Sequence, residues 1–158
     1  MRVALGCDHN GLDLKRKVMG LLQELGHEYQ DFGCYDTSPV DYPDVAGEVA
    51  QAVVEGRFEH GVLICGTGIG MSIAANKVSG VRAALCNDLF SAHRAREHNG
   101  ANVLCMGSDV TGHGLALAIV KAYLEAQFEG GRHARRVDKI AALESKSLSD
   151  KAQAPISR

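Results

Sequence analysis

Short uninterrupted apolar runs alternate along the chain with longer stretches whose apolar residues recur every three to four positions. The runs at 3–7, 62–64, 81–86 and 102–106 predict strands buried on both faces. A more polar run at 28–32 predicts a strand nearer an edge. Between them, Leu14, Val18, Leu21, Leu22 and Leu25 fall on one helical face, with Gly26 placed to end that helix. Pro43 suits the first turn of a second helix whose inward face is Val45, Val49, Ala52 and Val53, and Gly56 closes it. A helix follows the glycines near residue 70. Asn87 or Asp88 can cap a fourth helix running to about His98-Asn99-Gly100. Ser108 or Thr111 can cap a fifth, with Leu115, Ile119, Ala122, Tyr123 and Ala126 buried. A last helix is expected from Arg132 to Leu143, carrying Val137, Ile140 and Ala141. Residues 145–158 are mostly Ser, Lys, Ala and Gln, and are expected to form a disordered tail.

Strands alternating with helices predict an α/β fold: a single three-layer α/β/α, Rossmann-like domain over residues 1–144, built on a five-stranded parallel sheet. Ligands of such sheets bind beyond the carboxyl ends of the strands. That edge collects Asp8 and His9 after the first strand, residues 65–70 after the third, and Asp109 after the fifth.

The length suits one domain with a full core, and the net charge of −2 gives no sign of nucleic-acid binding. No apolar run is long enough to span a membrane, and the N-terminus reads as a strand rather than a signal peptide. Five cysteines without metal-ligand spacing suggest free thiols in a reducing, cytoplasmic setting.

The stretch Cys65-Gly66-Thr67-Gly68-Ile69-Gly70 joins a buried strand to a helix start. Glycines there let the backbone approach a ligand, and the helix N-terminus favours a phosphate, a carboxylate or a developing oxyanion. A thiol facing that field should ionise more readily than a free one. The same stretch also reads as a plain connection with an inert core cysteine. His98, at a helix C-terminus, suits a protonated imidazole or simply caps the last carbonyls. Asp8 and His9 suit a turn as well as a site. Arg132 and Arg136, one turn apart, can clamp a phosphate or form a solvated basic face. A dinucleotide site fits poorly: the glycine spacing is Gly-x-Gly-x-Gly after the third strand, although Asp88 lies about 20 residues on. The Gly-x-x-x-x-Gly-Lys signature of an ATP loop is missing.

Taken in order, Gly-Cys-Asp-His at 6–9, Asp-Tyr-Pro-Asp at 41–44, Cys-Gly-Thr-Gly-Ile-Gly-Met-Ser-Ile-Ala-Ala-Asn-Lys at 65–77, Glu-His-Asn at 97–99 and Gly-Gly-Arg-His-Ala-Arg-Arg at 130–136 resemble the type B ribose-5-phosphate isomerase family, which includes galactose-6-phosphate and allose-6-phosphate isomerases. The resemblance covers residues 1 to about 144. It implies a cofactor-free, metal-free aldose–ketose isomerisation of ribose 5-phosphate. It assigns Cys65 as the base between C1 and C2, His98 to ring opening, and Thr67 to the catalytic set. The amides of Gly66, Gly68, Ile69 and Gly70 hold the enediolate. Asp8, His9, Asn99 and Asp109 bind substrate, and Arg132 and Arg136 bind the phosphate. It also implies strand order 2-1-3-5-4 and a homodimer with sites built from both subunits, with tetramers among its members. Two other readings stand beside it: an isomerase of a six-carbon sugar phosphate, and a non-catalytic sugar-phosphate-binding regulator.

Overall fold

The computed structural model describes residues 1–153. Its elements run β1 (Arg2–Cys7), a single 3-10 turn (His9–Gly11), α1 (Leu12–Glu24), β2 (Glu28–Asp31), α2 (Tyr42–Val54), β3 (His60–Cys65), α3 (Ile69–Ala75), β4 (Ala83–Leu85), α4 (Leu89–Asn99), β5 (Val103–Gly107), α5 (His113–Glu125) and α6 (Arg132–Gln153). The five strands form one sheet in the order β2-β1-β3-β5-β4, and every pairing is parallel.

The period-two alternation of the strands explains the layers. Val3, Leu5, Cys7, Val62, Ile64, Leu104 and Met106 face α1, α4 and α5. Ala4, Leu63, Cys65, Val103 and Cys105 face α2 and α3. Both faces of the central strands are therefore covered, which is why β3 and β5 contain no exposed position. The edge strand β2 alternates exposed and half-buried residues, as its polar composition predicts. No helix among the described residues is long and apolar enough to cross a membrane.

Three elements differ from the sequence expectation. The strand expected over 81–86 shortens to Ala83–Leu85, because Val81 donates back to Val78 in a turn and Arg82 N–H is taken by the Asn102 side chain. Neither Ser108 nor Thr111 caps α5, which starts after Gly112. Ser108 is drawn instead toward β3, where both its N–H and its hydroxyl donate to Cys65 O. The buried face of α5 is Ala116, Ile119, Val120, Tyr123 and Leu124, and Leu115 is left exposed. Finally, the helix expected to stop at Leu143 continues to Gln153, through most of the segment expected to be a disordered tail; residues 154–158 lie outside the described residues. The reason is a contact the sequence does not advertise. Glu144 accepts the Gly80 N–H at 3.1 and 3.2 Å, tying α6 to the turn before β4.

Candidate active site

The residues singled out from the sequence fall into two groups at opposite ends of the sheet. All strands run the same way, so the loops after β1, β3 and β5 gather at the carboxyl edge. There Asp8, itself buried, accepts the N–H groups of Asn10 and Gly11 and shapes the turn after β1. Its own N–H donates to Ile64 O, which fixes the turn against β3. Val40 N–H donates to His9 Nδ1 at 3.3 Å, orienting that ring from the loop before α2.

Cys65 closes β3 and is 5% exposed. Gly68 N–H donates to its Sγ at 3.1 Å. Ile69 N–H reaches Thr67 Oγ1 at 3.3 Å. Two of the amides expected to face an oxyanion are thus engaged within the loop itself. Gly68 holds φ of +76°, and a side chain there would strike the Met106 backbone, so no other residue can make this turn unstrained. Asp109 N–H donates to Gly66 O, and its carboxylate lies 2.8 Å from where a Gly66 Cβ would be. Asn10 Nδ2 lies 3.8 Å from the same point, and the Tyr42 ring closes over Gly70. The loop is therefore walled by an acid, an amide and a phenol.

The second group lies at the amino edge, where α4 and α5 end and α6 begins. His98 is in the last turn of α4, before the left-handed Gly100. Its ring stacks on His133, with centroids 4.0 Å apart and planes 9° from parallel. Arg94 lies 3.1 Å from His98 Nε2 and also pairs with Glu97. A guanidinium can only donate, so Nε2 takes the acceptor role rather than the donor role expected from the helix terminus. Arg132 Nε donates to His133 Nε2 at 3.2 Å, and Glu129 approaches the same atom at 3.3 Å. Burial, followed by the neighbouring His98 and Arg132, holds His133 below the usual imidazole value. Arg132, Arg136 and Asn99 are exposed around this cluster.

The structure thus unites Asp8, His9, Asp109 and residues 65–70 in one place, and His98, Asn99, Arg132 and Arg136 in another. It does not bring the two groups together within the chain. The 11 residues of α4 span about 16 Å from the carboxyl edge to His98. Asn10, Tyr42, Arg94, Glu129 and His133 were missed as site residues. The spacings Arg94–His98 and Glu129–His133, both i,i+4, were the available signals.

Comparison with known proteins agrees on one family. The profile of a family described as Ribose/Galactose Isomerase matches residues 3–140. Ribose-5-phosphate isomerase B of Escherichia coli is 49% identical over 145 residues, covering 92% of this chain and 97% of that protein. D-erythrulose-4-phosphate isomerase of Pectobacterium atrosepticum is 46% identical, over 89% of this chain and 93% of its own. The solved structure of Clostridium thermocellum ribose-5-phosphate isomerase B superposes with a TM-score of 0.92 at 50% identity, covering 93% of this chain and 99% of that one.

Proposed function

Because the chain belongs to the ribose/galactose isomerase family, we propose that it interconverts ribose 5-phosphate and ribulose 5-phosphate without a cofactor, in sites shared between two copies of the chain. The observation that carries the reading is Cys65 at the end of β3, its sulfur held by the Gly68 N–H in a loop that has no room for other side chains.

The sugar enters as a closed ring. His98 Nε2, presenting its lone pair, takes the proton from the anomeric hydroxyl and hands it to the ring oxygen as the ring C–O bond breaks, which leaves the open-chain aldehyde and a neutral imidazole. Cys65, as thiolate, then removes the C2 proton. The electron pair forms the C1–C2 double bond and the C1 oxygen becomes the enediolate oxygen. Loop amides and the Thr67 hydroxyl meet that charge as it develops. The thiol returns its proton to C1, and the remaining hydroxyl proton passes from O2 to O1. Arg132 and Arg136 hold the phosphate at the far end, where its binding energy positions the reacting carbons.

A shared site is supported by the separation of the two groups. A five-carbon phosphate cannot reach from Cys65 to Arg132 along the sheet of one chain, whereas a second copy can bring its amino edge to the carboxyl edge of the first. The exposed Ile69, Ile73, Leu89, Phe90 and Val110, clustered near the start of α3, the start of α4 and the end of β5, supply the apolar surface such a contact needs. Five free, buried cysteines support the cytoplasmic reading.

The Pectobacterium relative, named for a four-carbon phosphate, makes substrate length the open variable. The test is a panel of four-, five- and six-carbon sugar phosphates with chelator-treated, dialysed protein. Ribose 5-phosphate should have the highest kcat/KM. Better turnover of another length would move the assignment within the family. Tight binding of ribose 5-phosphate with no turnover of any member would make the protein a regulator.

A further inference from the structure

We propose that the buried pair Lys15–Asp31 is a positioning device: through the loop that joins β2 to α2, it holds the ring of His9 in the setting in which its Nε2–H serves the substrate. Lys15 lies on α1 and is 1% exposed. Its Nζ stands 2.7 Å from both carboxylate oxygens of Asp31, at the end of β2, and also donates to Cys34 O. All three ammonium donors are thereby met. The Tyr35 ring lies over the ammonium at 5.1 Å, and its hydroxyl donates to Asp31 O at 3.1 Å. Asp31 Oδ1 also accepts the Gly33 N–H at 2.9 Å.

Stability alone gives little reason for an ammonium at this depth. The cost of desolvating both charges offsets most of their attraction, and an apolar pair of the same volume often holds a core as well. What an apolar pair lacks is direction. Here the ammonium ties α1 to one carbonyl of the loop, and the carboxylate ties β2 to the loop amide just before it. β1 grips the same segment: Cys7 N–H donates to Gly33 O and Cys34 N–H to Cys7 O, both at 2.8 Å. No helix or strand follows until Tyr42, so the path of residues 35–41 starts from this anchor.

The far end of the loop reaches His9, whose Nδ1 accepts the Val40 N–H at 3.3 Å. An imidazole that accepts at Nδ1 is neutral and carries its proton on Nε2. That Nε2–H is then a donor for a sugar oxygen at the carboxyl edge, where Asp8 and Asp109 also lie. A loop cut from its anchor lets the Val40 amide drift, and the ring loses the contact that sets its angle. Lys15 and Asp31 thus act on the substrate only through His9. The use of the donor rests on the isomerase reading; the dependence of the ring on the anchor does not.

The test uses the full chain with Lys15→Met and Asp31→Asn together. Methionine fills the volume of the lysine, asparagine keeps an acceptor for the Gly33 N–H, and no lone charge is stranded in the core. Tm should stay within about 4 °C of native. KM for ribose 5-phosphate should rise about tenfold, the scale of one lost hydrogen bond, with kcat changed less than about threefold. The 15N signal of His9 Nδ1, read by NMR, should move toward that of a ring without a donor. In a His9→Ala background the same pair of substitutions should leave KM where His9→Ala alone puts it, because both act through one contact. Native KM, an unmoved His9 signal, or a further rise in KM in the His9→Ala background would overturn the proposal. So would loss of the fold, which would make the pair a prop of the core. A native chain that turns over no sugar phosphate would refute the isomerase reading instead, and the His9 signal would still decide whether the anchor sets the ring.

Discussion

Removing the sulfur of Cys65 tests the chemistry with little disturbance to the fold, because the side chain is small and its replacement leaves the strand and loop contacts of the backbone in place. Cys65→Ala should lower kcat by roughly 10²–10⁴-fold, the usual contribution of a positioned base, with substrate affinity and melting temperature near native. Turnover within a few-fold of native would remove Cys65 from the mechanism. A second residue-scale prediction concerns His60, which begins β3. Its Nδ1 has no hydrogen-bond partner and its ring edge meets Tyr123. Burial first, and then the Arg96 guanidinium, press it down from the usual 6.5 to about 4. The unfolded chain therefore binds a proton that the folded one refuses between those values. Stability from this residue is complete above about pH 6.5 and falls by up to about 3 kcal/mol as pH drops to 4. Denaturant unfolding at several pH values should show that slope, and His60→Gln should flatten it, leaving the smaller share owed to His133. An unchanged slope would mean His60 titrates as it does in water. At this scale the sequence was informative wherever chemistry is local: Asp88 caps α4 through Ser91 N–H as its residue type foretells, and Cys65 meets its glycine loop. The stack of His98 on His133 was hidden, because it joins two helices through a turn whose path no local pattern encodes.

At the scale of elements, hydrophobic period predicted every strand and helix that packs on both sides of the sheet, and it failed where a contact is polar or one-sided. The apolar spacing places Leu115 on the buried face of α5, with Ser108 or Thr111 as its cap. Ser108 bonds Cys65 O and the helix starts after Gly112, while the buried stripe runs through Ala116, Ile119, Val120, Tyr123 and Leu124, one position round from Leu115, which is exposed. The long α6 is the second case. Beyond Leu143 its composition is polar, yet Glu144 receives the Gly80 N–H, and Val81, Ile140 and Leu148 line a groove of about 450 Å³ between helix and turn. Truncation after Leu143 should remove about 1 kcal/mol of stability, the scale of one exposed hydrogen bond to a charged group with its neighbouring contacts. For a domain this size that is a fall of roughly 2–4 °C in Tm, measurable by calorimetry. An identical Tm would mean the last turns of α6 are solvated and hold nothing.

For the whole molecule, the decisive fact is that one sheet separates Cys65 from His98 by its full height. If each site takes its thiol loop from one copy and its histidine and arginines from another, two inactive variants should rescue each other. Mixing equal amounts of Cys65→Ala and His98→Asn, with exchange of subunits, makes half of the dimers hybrid, and each hybrid carries one intact site. About a quarter of native activity should return. No recovery after verified exchange would mean that each chain works with its own residues. The same separation has a consequence in time. On the shared-site proposal, a lone chain can regain its helices and sheet at a rate independent of how many others surround it, yet it would stay silent until it collides with a partner. After dilution from denaturant, the circular dichroism signal should return with a concentration-independent rate, while turnover should lag behind it with a half-time that shortens as the chain concentration rises. Newly made enzyme at low abundance would then be folded well before it is at work.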